Sequence, residues 1–484
     1  MGGIFGVVSD SNCVNDLFYG IDYHSHLGNQ RGGMMVQNEQ GFTRIIHDIR
    51  YDQFRSKFEE DLPRLQGKIG IGCISDFEDQ PLIIAGKLGK FGITSVARVN
   101  NLVELRENAV NNDHAHFAEM AGHDVNPTEI IASLICQKDN FADGIRNAQL
   151  KVQGSCTMLL LTDDGIYAAR DLWGRTPLVI GQKNGSLSAA FESSALHNLD
   201  FEIKYWLGPG EVVLINKDGM HKMLPPQEKM RICAFLWIYY GFPSSSYEKI
   251  NTEAVRYRCG EALARRDKGM EVDAVAGVPD SGTAHALGYA AEMNIPYRRS
   301  YVKYTPTWAR SFVSIHENRK QVAKMKLLPI SEFIKGQRLL FCEDSIVRGN
   351  QLKNTFARLP EFGVKEVHVR SACPPVLFSC KYLNFSPSRK DSELIARRAI
   401  KSLEGDINGN LHKYVDEDSD EYAAMVDCIR QEMGFDSLKY QRLQDMVEAI
   451  GLPAESLCTY CWDGQECEQS GCCCCPPEFK PGDE

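Results

Sequence analysis

The chain has 484 residues, 43% of them hydrophobic, more than one core uses, since single cores rarely grow past roughly 250 residues; two globular domains are expected. Its formal net charge of −10 comes without a dense Lys/Arg block, which argues against nucleic acid as a partner. No apolar run reaches the roughly 18 to 20 residues of a membrane span. The start, MGGIFGVVSDSN, has no basic, apolar signal region, and residue 6 is not Ser or Thr as myristoylation requires, so the chain is read as cytoplasmic.

Along roughly the first 230 residues, short β-type runs such as IGIGCI, CTMLLLT and GEVVLIN alternate with Gly, Asn and Asp turns, predicting a layered, sheet-rich domain (1–230). From about Glu271 apolar strands alternate with helical stretches (VDAVAGVPDSG, IPYRRSYVKY, GQRLLFCEDSIVRGN, KEVHVRSACPP), the pattern of a parallel α/β sheet in a second domain (231–457). Residues 391–457 read as charged, solvated helices packed on that domain. A tail from residue 458 to 484, rich in Gly, Pro and Cys, argues against a helix.

The most specific string is LLFCEDSIVRGNQ. An apolar strand delivers two carboxylates, Glu343 and Asp344, and Ser345, Ile346, Val347, Arg348 and Gly349 form a turn into a helix beginning near Asn350. At the carboxyl end of a strand in an open α/β sheet, such a turn and helix start receive a phosphate. Adjacent carboxylates would face ribose hydroxyls or Mg²⁺. A second string, GVPDSG, places Gly277, Val278, Pro279, Asp280 and Ser281 at another strand end, with amides able to receive pyrophosphate.

The first string resembles the phosphoribosylpyrophosphate (PRPP) motif of type I phosphoribosyltransferases, and SIVRG the form it takes in the glutamine PRPP amidotransferase (amidophosphoribosyltransferase) family. GVPDSG is similar to that family's pyrophosphate loop. The resemblance implies Mg²⁺ held by Glu343, Asp344 and Ser281, and a flexible catalytic loop in YVKYTPTWARSF and NRKQVAKMKL. From these, Lys303, Arg310, Lys324 and Lys326 would stabilise the departing pyrophosphate. The family usually has Asp where Glu343 stands and commonly Thr where Gln351 stands; Glu keeps the charge but adds a methylene.

The resemblance covers nearly the whole chain. RDLWGRTPLVIG, AAFESSAL and LGPGEVVLIN look like successive signatures of the family's class II glutamine amidotransferase domain, which implies an αββα sandwich of the N-terminal-nucleophile hydrolase type. The family's nucleophilic Cys precedes a Gly-Ile-(Val or Phe)-Gly run; here GIFG is preceded by Gly2, which has no thiol. Cys13 is not followed by that run and reads as a small buried residue. The family's His-Arg-Gly becomes His26-Leu27-Gly28, and its glutamine-carboxylate Arg falls at Ser75. Its oxyanion Asn-Gly pair aligns with Val99-Asn100, and its amine-binding acid falls near Asn126. Together these changes imply that glutamine hydrolysis is lost.

Seventeen cysteines without an export signal read as thiols or metal ligands rather than disulfides. Cys458 and Cys461, with Cys233 and Cys380, match the ligand order of family members carrying a [4Fe-4S] cluster; Zn²⁺ is the alternative for the same ligands. Cys472–Cys475 have no counterpart. The expected function is phosphoribosyl transfer from PRPP to ammonia or another amine, as in the entry step of purine synthesis. The alternative is a catalytically silent, PRPP- or nucleotide-binding regulator or scaffold. Purine nucleotides and a homo-tetramer are further partners that the resemblance implies.

Overall fold

The structure, a computed structural model, describes residues 2–50, 52–113, 116–122, 124–304, 327–385 and 390–466. It divides into two compact units. Met1–Cys233 and Cys380–Pro387 fall in the first, Ala234–Ser379 and most of the chain from Ser388 in the second.

In the first unit the β-type runs form two antiparallel sheets. The strands are β1 (Gly3–Ser9), β2 (Arg31–Asn38), β3 (Gly41–Asp48), β4 (Ile69–Ser75), β5 (Leu82–Gly86), β6 (Gly89–Val99), β7 (Gly154–Thr162), β8 (Gly165–Ala169), β9 (Val179–Lys183), β10 (Ser186–Ala190), β11 (Glu202–Trp206), β12 (Val212–Asn216) and β13 (Gly219–Leu224). One sheet runs β11-β9-β10-β1-β4-β2-β3 and the other β13-β12-β8-β7-β6-β5. Central strands β1 and β7 are buried along nearly their whole length, because both faces are covered.

Helix α1 (Val14–Asp22) lays Leu17, Phe18 and Ile21 on the outer face of the first sheet, against Phe5, Val7 and Met34. Helices α2 (Pro127–Cys136) and α3 (Phe141–Lys151) cover the second sheet through Ile130, Ile131, Leu134, Ile135 and Ile145. Asn126 and Asn140 start these helices by accepting N–H groups of Thr128 and Asp143, the N-cap chemistry that satisfies orphan donors. The result is an αββα sandwich.

The second unit is built on a parallel sheet of β14 (Ala274–Gly277), β17 (Arg338–Glu343), β18 (Glu366–Ser371) and β19 (Ser437–Tyr440), in that order. A separate ribbon pairs β15 (Tyr301–Lys303) with β16 (Leu327–Pro329). The register Gly277↔Cys342↔Arg370↔Lys439 brings the strands' carboxyl ends to one edge. Helices α4 (Thr252–Arg265) and α5 (Gly282–Met293) pack on each other, and α6 (Asn350–Phe356), α7 (Ile395–Glu404), α8 (Asp420–Met433) and α9 (Leu443–Ile450) follow. Two features differ from expectation. The stretch read as helices alone contains the edge strand β19, four residues too short to show a period. The expected non-helical tail opens with a helical turn, Tyr460–Asp463, ended by Gly464 at φ +67°.

Beneath the sheet lies a buried ionic knot. Arg370 Nε donates to Asp267 Oδ2, which also accepts from Tyr289 Oη at 2.8 Å, while Lys439 Nζ reaches Asp267 Oδ1 at 2.5 Å. Burial alone would raise the Asp267 carboxyl, but the bonds and charge of Arg370, with Lys439 and Tyr289, outweigh it and hold the carboxyl below its usual range.

Candidate functional site

Strand β17 carries buried Leu339, Leu340, Phe341 and Cys342 between two parallel neighbours and ends in the acidic pair. The Asp344 side chain is buried and accepts hydrogen bonds from Ser281 Oγ and, at 2.5 Å, from Ser345 Oγ. Burial raises the Asp344 carboxyl, opposed by these two bonds and by the positive charge of Arg256. Glu343 is pushed well above the usual carboxylate range, first by burial and then by the charge of Asp344. Its Oε2 is buried without a hydrogen-bond partner among the described residues, an atom positioned for a ligand or an ion.

The GVPDSG turn meets this pair. Gly277 ends β14, Val278 N donates to Cys342 O at 3.0 Å, and the Pro279–Asp280 peptide is cis. Ser281 then opens α5. Gly282 must lack a side chain, since a Cβ would lie 2.3 Å from Cys342 O. Close packing of the two strand ends is what lets Ser281 reach Asp344. Lys303, at the end of β15, pairs with Asp280 at 3.1 Å, placing one of the expected cations on the turn. Arg310, Lys324 and Lys326 lie outside the described residues, as does the side chain of Gln351.

After the acidic pair, the chain turns through Ser345, Ile346, Val347 and Arg348 to Gly349, whose φ of +74° suits glycine. Ile346 is buried; Asn350, first residue of α6, is exposed. The turn is clamped from α7, where Ile395 N donates to Val347 O at 2.9 Å and Arg398 Nη2 to Arg348 O at 3.1 Å; Arg348 pairs with Glu393 at 2.9 Å. These bonds hold the backbone of the turn in place.

Sequence reasoning missed Arg256, on α4. Its buried guanidinium donates to the carbonyls of Trp237 (2.9 Å), Tyr239 (3.0 Å) and Gly241 (2.8 Å), fixing a π-helical turn, Leu236–Tyr240. Nothing separates it in sequence from its neighbours Arg258, Arg265 and Arg266; only the fold does.

In the first unit, several of the positions expected to have lost glutamine-binding groups hold hydrogen bonds of their own. Gly2 precedes β1, and a Cβ there would lie 2.6 Å from the backbone oxygen of Ile74. Ser75 Oγ accepts from the N–H groups of Phe77 (3.3 Å) and Glu78 (3.1 Å). Asn126 caps α2 and donates Nδ2 to Asp79 O at 3.0 Å. Asn100 accepts from Arg98 Nε at 2.9 Å and donates to Lys381 O at 2.8 Å; Val99 ends β6 and Leu27 is buried. Burial pushes the Cys13 thiol up to about 12, which suits a core residue and not a nucleophile.

A Gly2→Cys variant is therefore expected to release no glutamate from glutamine and to resist labelling by thiol-directed glutamine analogues. It should also lose about 1–3 kcal/mol of stability as β4 shifts away from the new side chain. Glutamate release above background would contradict this steric account.

Close by, buried Glu78 accepts from Thr128 Oγ1 (2.7 Å) and Gln80 Nε2 (3.0 Å). Burial pushes its carboxyl up to about 7, against these bonds. Below about pH 4.5, the ordinary value, it is protonated folded or unfolded. As pH rises from there to about 7 only the unfolded chain ionises, so stability falls across that window and stays lower above it. Glu78→Gln should flatten the fall and gain about 1–3 kcal/mol at pH 8, read by urea unfolding at pH 4.5 and 8. Equal pH dependence in both proteins would refute it.

Among the described residues no group of three or more Cys, His, Asp or Glu side chains is placed to hold a metal ion. Within the first unit, Cys380 Sγ accepts from Tyr382 N (3.4 Å) and Leu383 N (3.3 Å), an arrangement that suits a thiolate. Cys233 N donates to Arg175 O at 3.1 Å, and the Arg175 guanidinium stacks on the Tyr382 ring at 3.5 Å. In the second unit, Cys458 ends the short strand Leu457–Cys458 and Cys461 lies in the helical turn Tyr460–Asp463, where its carbonyl accepts from Leu377 N and Phe378 N. Cys472–Cys475 lie outside the described residues. No helix among the described residues is long and apolar enough to cross a membrane.

No family model matches the chain. It is 28% identical to an amidophosphoribosyltransferase of Methanocaldococcus jannaschii over 501 aligned residues, spanning 96% of this chain and 97% of that one. It is also 28% identical to the chloroplastic amidophosphoribosyltransferase 2 of Arabidopsis thaliana, spanning 96% of this chain and 78% of the relative. With the Mycobacterium tuberculosis enzyme of the same name it shares 33% identity over 315 residues, 65% of this chain and 55% of that one. Among solved structures, glutamine PRPP amidotransferase from B. subtilis complexed with ADP and GMP matches with a TM-score of 0.82 and 26% identity, over 99% of this chain and 100% of that one.

Proposed function

From a chain that belongs to the amidophosphoribosyltransferase family, we propose an enzyme that transfers phosphoribosyl from PRPP to ammonia or another amine and has given up glutamine hydrolysis. The observation that carries the transferase half is the convergence of Ser281 and Ser345 on buried Asp344, beside the clamped turn Ser345–Gly349. In this reading the turn holds the 5-phosphate, Glu343 and Asp344 face the ribose hydroxyls, and the GVPDSG amides with Lys303 receive the pyrophosphate. The anomeric C–O bond breaks, a C–N bond forms from the amine lone pair, and the amine proton leaves to solvent. Positive charge develops on the sugar, so the residues act by positioning and by stabilising the leaving group.

The buried Glu343 Oε2 and the two carboxylates suit a hard divalent cation; Mg²⁺, held by Glu343, Asp344 and Ser281, would neutralise the pyrophosphate. The two N–H groups on Cys380 Sγ support thiolate ligation by Cys233, Cys380, Cys458 and Cys461, of a [4Fe-4S] cluster or of Zn²⁺. The loss of glutamine chemistry rests on Gly2, Leu27, Ser75, Val99 and Asn126. Purine nucleotide binding and a homo-oligomer belong to the same reading, with the cytoplasm as its compartment. The second reading, a silent PRPP-binding regulator, draws on the longer, orphaned Glu343 side chain.

Anaerobically purified protein with Mg²⁺ and PRPP, monitored for pyrophosphate, tests this. Release with ammonium or another amine supports the transferase. PRPP binding without release from any amine supports the regulator. Release driven by glutamine at neutral pH, free of contaminating glutaminase, overturns the account of the first unit.

A further inference from the structure

Buried donors gather where α7 begins. Leu394 supplies no side-chain cap to this helix, and the first amide is taken, Ile395 N donating to Val347 O. The next two amides, of Ala396 and Arg397, meet no acceptor among the described residues, and both residues are buried, 1% and 4% exposed. The Arg397 guanidinium is only half used. Its Nη2 donates to Asp391 Oδ2 at 3.2 Å and to Asn408 Oδ1 at 3.0 Å, while Nε and Nη1 are buried and donate to nothing among the described residues.

These donors share one end of the helix. A helical side chain leans toward the N-terminus of its own helix, and Asp391, four residues before α7, holds the guanidinium to that end. The amides of a first turn point outward at the same end. Arg397 therefore stands over the first turn, where two backbone and two side-chain nitrogens have N–H groups to give. Buried donors are paired as a rule, so four at one helix start define a place where an acceptor is held.

The charges select an anion. Asp391 offsets Arg397 only in part, because its side chain is 43% exposed and also accepts from Ser379 Oγ, whereas the Arg397 side chain is 4% exposed. Water screens the carboxylate more than the guanidinium. Glu393, the next carboxylate along, is paired with Arg348, and the helix start adds its own partial positive charge. Donors buried this deeply suit a compact ion and leave no room for the organic part of a phosphate ester.

We propose that the start of α7, with Arg397, binds a compact inorganic oxyanion, phosphate or sulfate, and that the bound ion braces the Ser345–Gly349 turn. The site is separate from the turn itself, since its donors all lie on α7. One helix links the two, because Ile395 N and Arg398 Nη2 hold the carbonyls of Val347 and Arg348. An ion on the next two amides stiffens the helix start that grips the turn. Only this bracing of a PRPP-binding turn rests on the transferase reading above; binding of the ion does not.

Sodium sulfate titrated into full-length protein at constant ionic strength, against a chloride control, tests the site by calorimetry. Arg397→Met keeps the length of the side chain without its charge and should weaken sulfate binding at least tenfold. Asp391→Asn removes the opposing charge and leaves Arg397, so it should tighten binding at least twofold; this variant carries the test if Arg397→Met does not fold. No binding beyond the chloride control, or affinity unchanged in the variants, overturns the proposal. With Mg²⁺ present, PRPP should bind wild type at least twofold more tightly when sulfate is added, and sulfate should gain equally from PRPP. Equal or weaker PRPP binding overturns the proposal, weaker binding because it puts the ion on the turn. PRPP that fails to bind at all counts against the transferase reading and leaves the sulfate result standing.

Discussion

Asp344→Asn is expected to lower PRPP-dependent pyrophosphate release by about 10²- to 10³-fold, about 3–4 kcal/mol of transition-state stabilisation. Asn matches the shape of Asp, so the loss reports charge and hydrogen-bond polarity. The two hydroxyls that point at Asp344, from Ser281 and Ser345, both donate, and an amide offers them one acceptor where the carboxylate offered two. The surviving –NH₂ would face a donor. Ser281→Ala removes one of those bonds and leaves the charge, so its expected loss is smaller, about tenfold. Circular dichroism and unfolding midpoints close to wild type would show that the sheet is intact. Turnover of Asp344→Asn within threefold of wild type would remove Asp344 from the site.

The sequence made this strand end legible because a parallel sheet announces itself locally: an apolar run, then a carboxylate pair, then a turn with Gly at the position that needs a positive φ. GVPDSG was legible for the same reason, and β14 and β17 proved to be neighbours whose register puts Gly277 beside Cys342. The sheet-rich character of the first unit was legible through turn residues between β-type runs, whereas the αββα sandwich was implied by the resemblance of RDLWGRTPLVIG, AAFESSAL and LGPGEVVLIN. Other parts depend on partners distant in the chain. Arg256 acts through three carbonyls that lie 15 to 19 residues before it, and no periodicity reports such a bond. Strand β19 is recognisable only by the neighbour it pairs with. The second role of Asn126, as the cap of α2, was written in Asn-Pro-Thr-Glu, a helix-start pattern, and a reading focused on lost catalytic side chains passed over it.

The ionic knot under the parallel sheet gives the largest expected stability effect. Asp267 and Arg370 have side chains about 1% exposed, so Asp267→Ala strands a guanidinium in the interior and should cost about 3–5 kcal/mol, read by urea unfolding at pH 7. The sign with pH follows from the lowered Asp267 carboxyl. Its contribution is full above the ordinary carboxylate value of 3.8 and disappears as pH falls through the lower folded value, so the gap between variant and wild type should narrow only in strong acid. Replacing both partners, as Asp267→Leu with Arg370→Met, removes the stranded charge and should recover most of the loss. A double variant as unstable as the sum of the two singles would show that the pair does not interact. The site feels this through geometry: Arg370 pairs with Cys342 in register, one residue before Glu343. Asp267 lies just beyond α4, the helix whose Arg256 fixes the π-helical turn. Loss of the knot should therefore weaken PRPP binding as well as stability, while the double variant recovers both together.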